Sequence, residues 1–229
     1  MARKAVCLIS GGLDSTVTLA IAREQGYEPY GLTFDYGQRH RREIRSAKKV
    51  AAHYRLKEHK ILKIGMEQIG GSALTDDIPV PKGKTAAQIK ASKEIPVTYV
   101  PARNTILLSF AMSYAEVIGA EAIFIGANHI DYSGYPDCRP EYFKAFQRVA
   151  ELGTRCGVEG HPVEIRYPII TLDKKAIIQK GRQLAVPFEL TWSCYEGGHN
   201  PCGRCESCVL RTNGFREAGL KDPLEHESR

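Results

Sequence analysis

The sequence predicts an α/β fold in which a parallel sheet is flanked by helices, and three observations carry that reading. The chain opens as an apolar run, a glycine turn and a segment with apolar residues at helical spacing, the order strand, loop, helix. Further β-prone runs then alternate with helical patterns, as in a sheet wound by right-handed crossovers. Four of the seven cysteines fall between Cys194 and Cys208, set apart from this alternation. At 229 residues, with 43% apolar and 25% charged, the chain can bury a core without disulfides, so the cysteines need another explanation.

Residues 5–9 read as the first strand, bounded by Gly11 and Gly12, and residues 13–25 as the first helix through Leu13, Val17, Ala20 and Ile21. Residues 30–34 form the second strand, 41–54 a basic amphipathic helix and 58–64 the third strand. The run Arg39, Arg41, Arg42, Arg45, Lys48 and Lys49 is expected to be a solvated helix face. From 70 to 95 no period persists among Gly, Pro, Lys and Thr, which predicts a long, moving loop. Residues 104–119 restore a strong helix, 122–125 a buried strand ending at Gly126, and 140–156 and 172–185 two more helices, the last capped by Thr171 or Asp173. Two parts follow: an α/β body over 1–189 carrying a binding loop at 126–142, and a cysteine segment over 190–229.

Ser10, Gly11, Gly12, Leu13, Asp14 and Ser15 occupy the carboxyl end of the first strand and the amino end of the first helix, where open α/β sheets bind ligands. Paired glycines allow close backbone approach to an anion, and the opening helix amides with the hydroxyls of Ser10, Ser15 and Thr16 can donate to it. The alternative is a plain turn with Ser10 and Asp14 capping the helix. The loop lacks the lysine of a Walker A motif and the spacing of a dinucleotide fingerprint. It resembles the SGG-x-D-S signature of the PP-loop pyrophosphatases, which bind ATP, cleave it between the α and β phosphates and transfer AMP to an acceptor oxygen.

Cys194, Cys202, Cys205 and Cys208 give C-x7-C-x2-C-x2-C, with Gly203 at the knuckle. Four thiolates suit a structural tetrahedral zinc, and an iron–sulfur cluster is the rival held by the same spacing. Cys7 reads as a small buried hydrophobe, Cys138 as a buried filler, and Cys156 has no partner signal.

Residues 126–142 are rich in turn formers, carboxylates and aromatics and begin at the end of a strand, the composition of a binding loop on a rigid scaffold. Taken with the glycine loop, the stretch from Thr33 to Gln38, the segment from Tyr99 to Asn104, and Thr191 to Tyr195 leading into the cysteines, the whole chain resembles the 7-cyano-7-deazaguanine synthases of queuosine precursor synthesis. Ala102 stands where the family's P-G-R-N version has glycine, while Arg103 and Asn104 keep the pattern. The resemblance implies a cytoplasmic, homodimeric, zinc-bearing PP-loop ligase that turns 7-carboxy-7-deazaguanine, ammonia and ATP into the nitrile through an adenylated acid and an adenylated amide. ATP would be held by Leu8, Ile9, Ser10, Gly11, Gly12, Leu13, Asp14, Ser15, Thr16, Val17 and Thr18, with Mg²⁺ accompanying it. Asp14, Arg103, Asp131 and Asp137 would serve the chemistry. Tyr132, Ser133, Gly134, Tyr135, Asp137 and Arg139 would hold the substrate, the aspartates accepting from the base, a tyrosine stacking on it and Arg139 meeting its carboxylate.

Two other function classes compete. A tRNA-modifying PP-loop enzyme would share the ATP loop but need an RNA-grasping part, for which no stretch is left over. A nucleic-acid-binding zinc module would make the glycine loop idle. The net charge of +6 suits phosphate ligands without requiring nucleic acid. The apolar run near the amino terminus is too short for a signal core or a membrane span, so no membrane partner is expected.

Overall fold

A computed structural model describes residues 2–92, 94–130 and 134–225. Five parallel strands form one sheet in the order β3-β2-β1-β4-β5: β1 (Arg3–Leu8), β2 (Tyr27–Asp35), β3 (His59–Lys63), β4 (Ala122–Phe124) and β5 (Glu164–Arg166). The connections to either side diverge between β1 and β4, which makes the carboxyl ends of those two strands the ligand-binding position of such a sheet.

Alternation along β1 explains the two-sided core. Val6 and Leu8 enter a cluster with α4 (Arg103–Ile118) and α5 (Pro140–Gly153), whereas Ala5 and Cys7 enter one with α1 (Leu13–Glu24) and α2 (Arg42–His53). Both faces are covered, so β1 reads as an unbroken apolar run rather than an alternating one. A third cluster joins α1 to α7 (Lys174–Gln183) and α8 (Glu206–Glu217) through Val17, Ile21, Ile177, Ile178 and Phe215. Cys7 is a buried core residue, and burial pushes its thiol up.

Several boundaries differ from the sequence expectation. β2 begins three residues early and contains Pro29; β3 pairs with β2 only from Gly31 onward, so the proline's missing donor falls where β2 has a neighbour on one side alone. The helix expected over 140–156 breaks at Thr154, whose extended backbone ends α5 and whose hydroxyl caps the short α6 (Arg155–Val158) by accepting from Gly157 N. Asp173, rather than Thr171, caps α7, its Oδ1 accepting from Ala176 N at 2.8 Å.

The 70–95 stretch is not a free loop. It holds α3 (Ala86–Ala91), entered through a capping box between Thr85 and Gln88, and it packs on the cysteine segment. Ala73 and Val80 share a buried cluster with Trp192, Cys194, Cys205 and Cys208. Gly83 N donates to Arg204 O at 3.1 Å, and Lys82 and Lys84 reach Glu196 and Glu206 at 3.0 and 2.9 Å. Among the described residues, no helix is long and apolar enough to cross a membrane.

Candidate active site and metal centre

The cleft opens at the carboxyl ends of β1 and β4, with a volume of about 230 Å³. Its base is the glycine loop. Gly12 is the N-cap of α1 and offers no side chain to the opening amides, which leaves them for an anionic ligand. The loop's hydroxyls bind one another instead: Ser10 Oγ lies 3.0 Å from Ser15 Oγ and accepts from Gly12 N, while Thr16 Oγ1 donates back to Gly12 O at 2.8 Å. These contacts preset the loop's shape before any ligand arrives.

Two glycines make the geometry possible. Gly11 has φ +84°, and a Cβ there would fall 2.3 Å from the Glu43 carbonyl oxygen, so the first turn of α2 sits directly on the loop. Gly126, just after β4, lies where a Cβ would meet Ser15 N and Cα at 2.8 Å. The start of the 126–142 stretch thus presses on the start of α1.

Leu8, Ile9, Ser10, Gly12, Leu13, Asp14 and Ser15 line the cleft. Thr16, Val17 and Thr18 turn inward and are buried beneath it. Asp14 is bound by the buried Lys174, whose Nζ is 2.8 Å from each carboxylate oxygen. The half-buried Arg103 lies in the first turn of α4, with Nη1 donating to Tyr36 Oη at 3.4 Å and its guanidinium 5.8 Å from that ring. Burial works against its charge, but Tyr36, Tyr135, Asp137 and Cys138 raise its pKa, so it remains a cation. No carboxylate lies within ion-pair distance of it among the described residues.

The middle loop divides. Tyr135 is buried, lines the cleft, shares a 2.8 Å hydrogen bond with Thr98 Oγ1 and lies 5.8 Å from the Tyr99 ring. Asp137 is buried away from the cleft surface: its Oδ2 accepts from Asn104 N at 3.0 Å, and its carbonyl accepts from Asn104 Nδ2 at 2.9 Å. It thereby caps α4, whose own N-cap Ala102 has no side chain to do so and sits in the left-handed region at φ 52°. Cys138 is a buried thiol pushed up to about 12 by burial and by Asp137. Arg139 points to solvent, its Nε donating to Pro136 O at 3.2 Å, and Gly134 packs against the Glu94 carbonyl. Asp131, Tyr132 and Ser133 lie outside the described residues.

Three charged cleft residues have no counterpart in the sequence reading: Glu43, Lys174 and Arg211. Glu43 is the acid within the basic helix run, and the helical period that turns Arg41 and Arg45 outward turns it inward. Burial pushes its carboxyl up to about 7, against the pull of Arg103 and with a smaller upward push from Cys194. Arg211 is 4% exposed and gives Asp222 two hydrogen bonds at 2.7 and 2.9 Å and Thr191 Oγ1 one at 2.8 Å.

The cysteine segment meets the glycine loop directly. Trp192 N donates to Gly11 O at 2.8 Å, and the Trp192 indole donates to Cys194 O at 2.9 Å. Cys194, Cys202, Cys205 and Cys208 place their sulfurs within 4.8 Å of one another. Tetrahedral Zn–S bonds would set such sulfurs about 3.8 Å apart, so the cluster fits a four-thiolate metal site with modest tightening. Backbone amides of Glu196, Cys202 and Cys205 approach Sγ atoms at 3.3 to 3.4 Å, the donors a thiolate set needs. Hydrogen bonds from Cys205 and Cys208 hold the Cys194 thiol down, and the same contacts push theirs up. A bound cation removes that competition for protons.

A family profile described as "Queuosine biosynthesis protein QueC" matches residues 4–219. The 7-cyano-7-deazaguanine synthase of Acetivibrio thermocellus is 56% identical over 228 residues, covering 99% of both chains. That of Desulfitobacterium hafniense is 54% identical over 225 residues, covering 98% of this chain and 93% of its own. Among solved structures, NMN synthetase from Francisella tularensis aligns with a TM-score of 0.48 and 13% identity, over 96% of this chain and 79% of the other. With a glycine loop, a cleft and a four-cysteine centre in one sheet-based body, and with relatives this similar end to end, the chain belongs to the queuosine biosynthesis family of 7-cyano-7-deazaguanine synthases, which are ATP-dependent ligases.

Proposed function

We propose that the protein converts 7-carboxy-7-deazaguanine and ammonia to 7-cyano-7-deazaguanine, using two molecules of ATP in turn at one cleft. The observation that carries this reading is the bare amino end of α1 facing a cleft that also holds Arg103 and Tyr135. Those groups suit a triphosphate, a carboxylate and a flat base.

In the first activation the substrate carboxylate attacks the α-phosphorus and pyrophosphate leaves. Amides of the glycine loop, with Ser10 and Ser15, stabilise the charge that gathers on the departing phosphates, and Arg103 meets the negative charge opposite. Ammonia displaces AMP to give the amide. Adenylation of the amide oxygen then allows loss of AMP and a proton to leave the C≡N bond. Mg²⁺ accompanying ATP supplies further neutralisation of phosphate charge, and Asp14 is the loop carboxylate that would hold it once a ligand competes with Lys174. Tyr135 faces the base, and Asp131, Tyr132, Ser133, Gly134, Asp137 and Arg139 serve the substrate as the family resemblance implies.

In this reading the metal is zinc in a structural role, because four thiolates leave no position for substrate, and it fixes Trp192 against Gly11. The family resemblance supports a cytoplasmic homodimer acting on small molecules and not on nucleic acid. The exposed Val117, Leu152 and Val158 offer apolar surface for a second copy, which light scattering on the purified protein tests.

The enzymatic test supplies ATP, Mg²⁺ and ammonium with the deazaguanine acid and follows the nitrile by mass, then repeats with the corresponding amide. Nitrile is expected from both. No nitrile from either compound, with AMP released on tRNA instead, contradicts the proposal.

A further inference from the structure

The reaction needs a group that receives the nitrogen donor. In water near neutral pH that donor is the ammonium ion, which cannot attack until it loses a proton, and a carboxylate at the acyl carbon is the natural receiver. Among the described residues, two carboxylates line the cleft, Asp14 and Glu43. Asp14 is committed to Lys174 through both oxygens. Glu43 has no hydrogen-bond donor among the described residues, and Arg103 acts on it only through space.

Its position is fixed by backbone. The Glu43 carbonyl lies so close to Gly11 that no Cβ fits between them, so the side chain starts beside the glycine loop and ends in the cleft. Tyr36, Trp192 and Tyr195 also line this part; the Tyr36 and Trp192 rings already carry the guanidinium groups of Arg103 and Arg42, 5.8 and 4.5 Å from their centroids, so the Glu43 carboxylate is the group there that attracts a further cation. The groups with charge or titration facing Glu43 are Arg103 from α4, Tyr36, Arg39 and His40 between β2 and α2, and Cys194 and Tyr195 from the cysteine segment.

We infer that Glu43 is the ammonium-binding group of the cleft, an inference that rests on the ligase reading above. An N–H bond of the bound ammonium breaks and its proton passes to a Glu43 carboxylate oxygen. The freed lone pair forms the C–N bond to the acyl carbon, the C–O bond to AMP breaks with its electron pair leaving on AMP, and a second proton goes from the new amide nitrogen to water.

The test is steady-state kinetics of Glu43→Gln, which keeps the shape and removes the charge. The KM for ammonium is expected to rise by about ten- to hundredfold, the loss of one charge-assisted hydrogen bond. The KM for ATP is expected to move far less, and the rate from acid plus ammonium to fall more than the rate from preformed amide. An unchanged ammonium KM overturns the inference. So does an equal rise in the KM for ATP or for the acid, which would mean that Glu43 only braces Arg103. If the glutamine variant lacks a cooperative melt, Glu43→Asp must show the same ammonium-specific rise at smaller size. Wild-type protein that makes no nitrile from acid or amide defeats the ligase reading itself, whereas active wild type with an ammonium-indifferent variant defeats this inference alone.

Discussion

The glycine loop and the middle loop are both polar, both follow a strand at the centre of the sheet, and they use their polar groups in opposite ways. In the glycine loop Ser10, Ser15 and Thr16 bind one another and the backbone, which leaves the amides of α1 open to the cleft. In the middle loop much of the side-chain polarity does internal work, with Asp137 capping α4 and Arg139 bracing Pro136, while Ala127, Asn128, Tyr135 and Cys138 line the cleft from this stretch. A polar loop therefore binds through whichever groups its own folding has not consumed. For a phosphate cradle those are backbone donors, which no substitution of a single side chain removes.

Asp14→Ala should give the largest effect. Turnover is expected to fall by about 10²- to 10³-fold, as when a preorganised charge is removed from a reacting phosphate site. Stability should fall as well, by about 3 kcal/mol, because the buried Lys174 loses its carboxylate. Parallel rate and denaturant measurements separate the two. Gly126→Ala comes next: its Cβ meets Ser15 at 2.8 Å, so α1 must shift. A displacement on the ångström scale costs about 100-fold in rate with the fold intact. An unaffected rate would mean the two loops are not coupled through this contact.

How much of this was legible follows from distance along the chain. The glycine loop and the cysteine knuckle are local patterns, and their residues meet as their spacing implied. Lys174 reaches Asp14 across 160 positions, and nothing local marks it apart from the neighbouring cap Asp173. β5 is three residues long, too short for a period, and exists because β4 offers it a partner at Ala122, Ile123 and Phe124. The 70–95 stretch looked unstructured because its order comes from the cysteine segment, through contacts such as Gly83 to Arg204. The capping role of Asp137 was hidden because sequence shows its polarity but not that Ala102 leaves α4 in need of a cap.

The middle loop supplies the two smaller tests. Asp137→Ala should lower stability by about 1–2 kcal/mol, the cost of a lost cap with a buried amide left unpaired. A large rise in substrate KM with an unchanged melting temperature would instead make Asp137 a ligand group. Ala102→Gly should raise stability by about 1 kcal/mol, since glycine holds the left-handed backbone at φ 52° without strain. Thermal melts of the purified variants read both.

The central claim is that the bare amino end of α1 binds ATP for cleavage between the α and β phosphates. Chromatography of the nucleotide products from a reaction with the deazaguanine acid tests it most directly. AMP and pyrophosphate, in equal amounts and dependent on the acid, are the expected result. ADP and inorganic phosphate would contradict it, since a loop without a lysine for the γ-phosphate would then be transferring that phosphate after all.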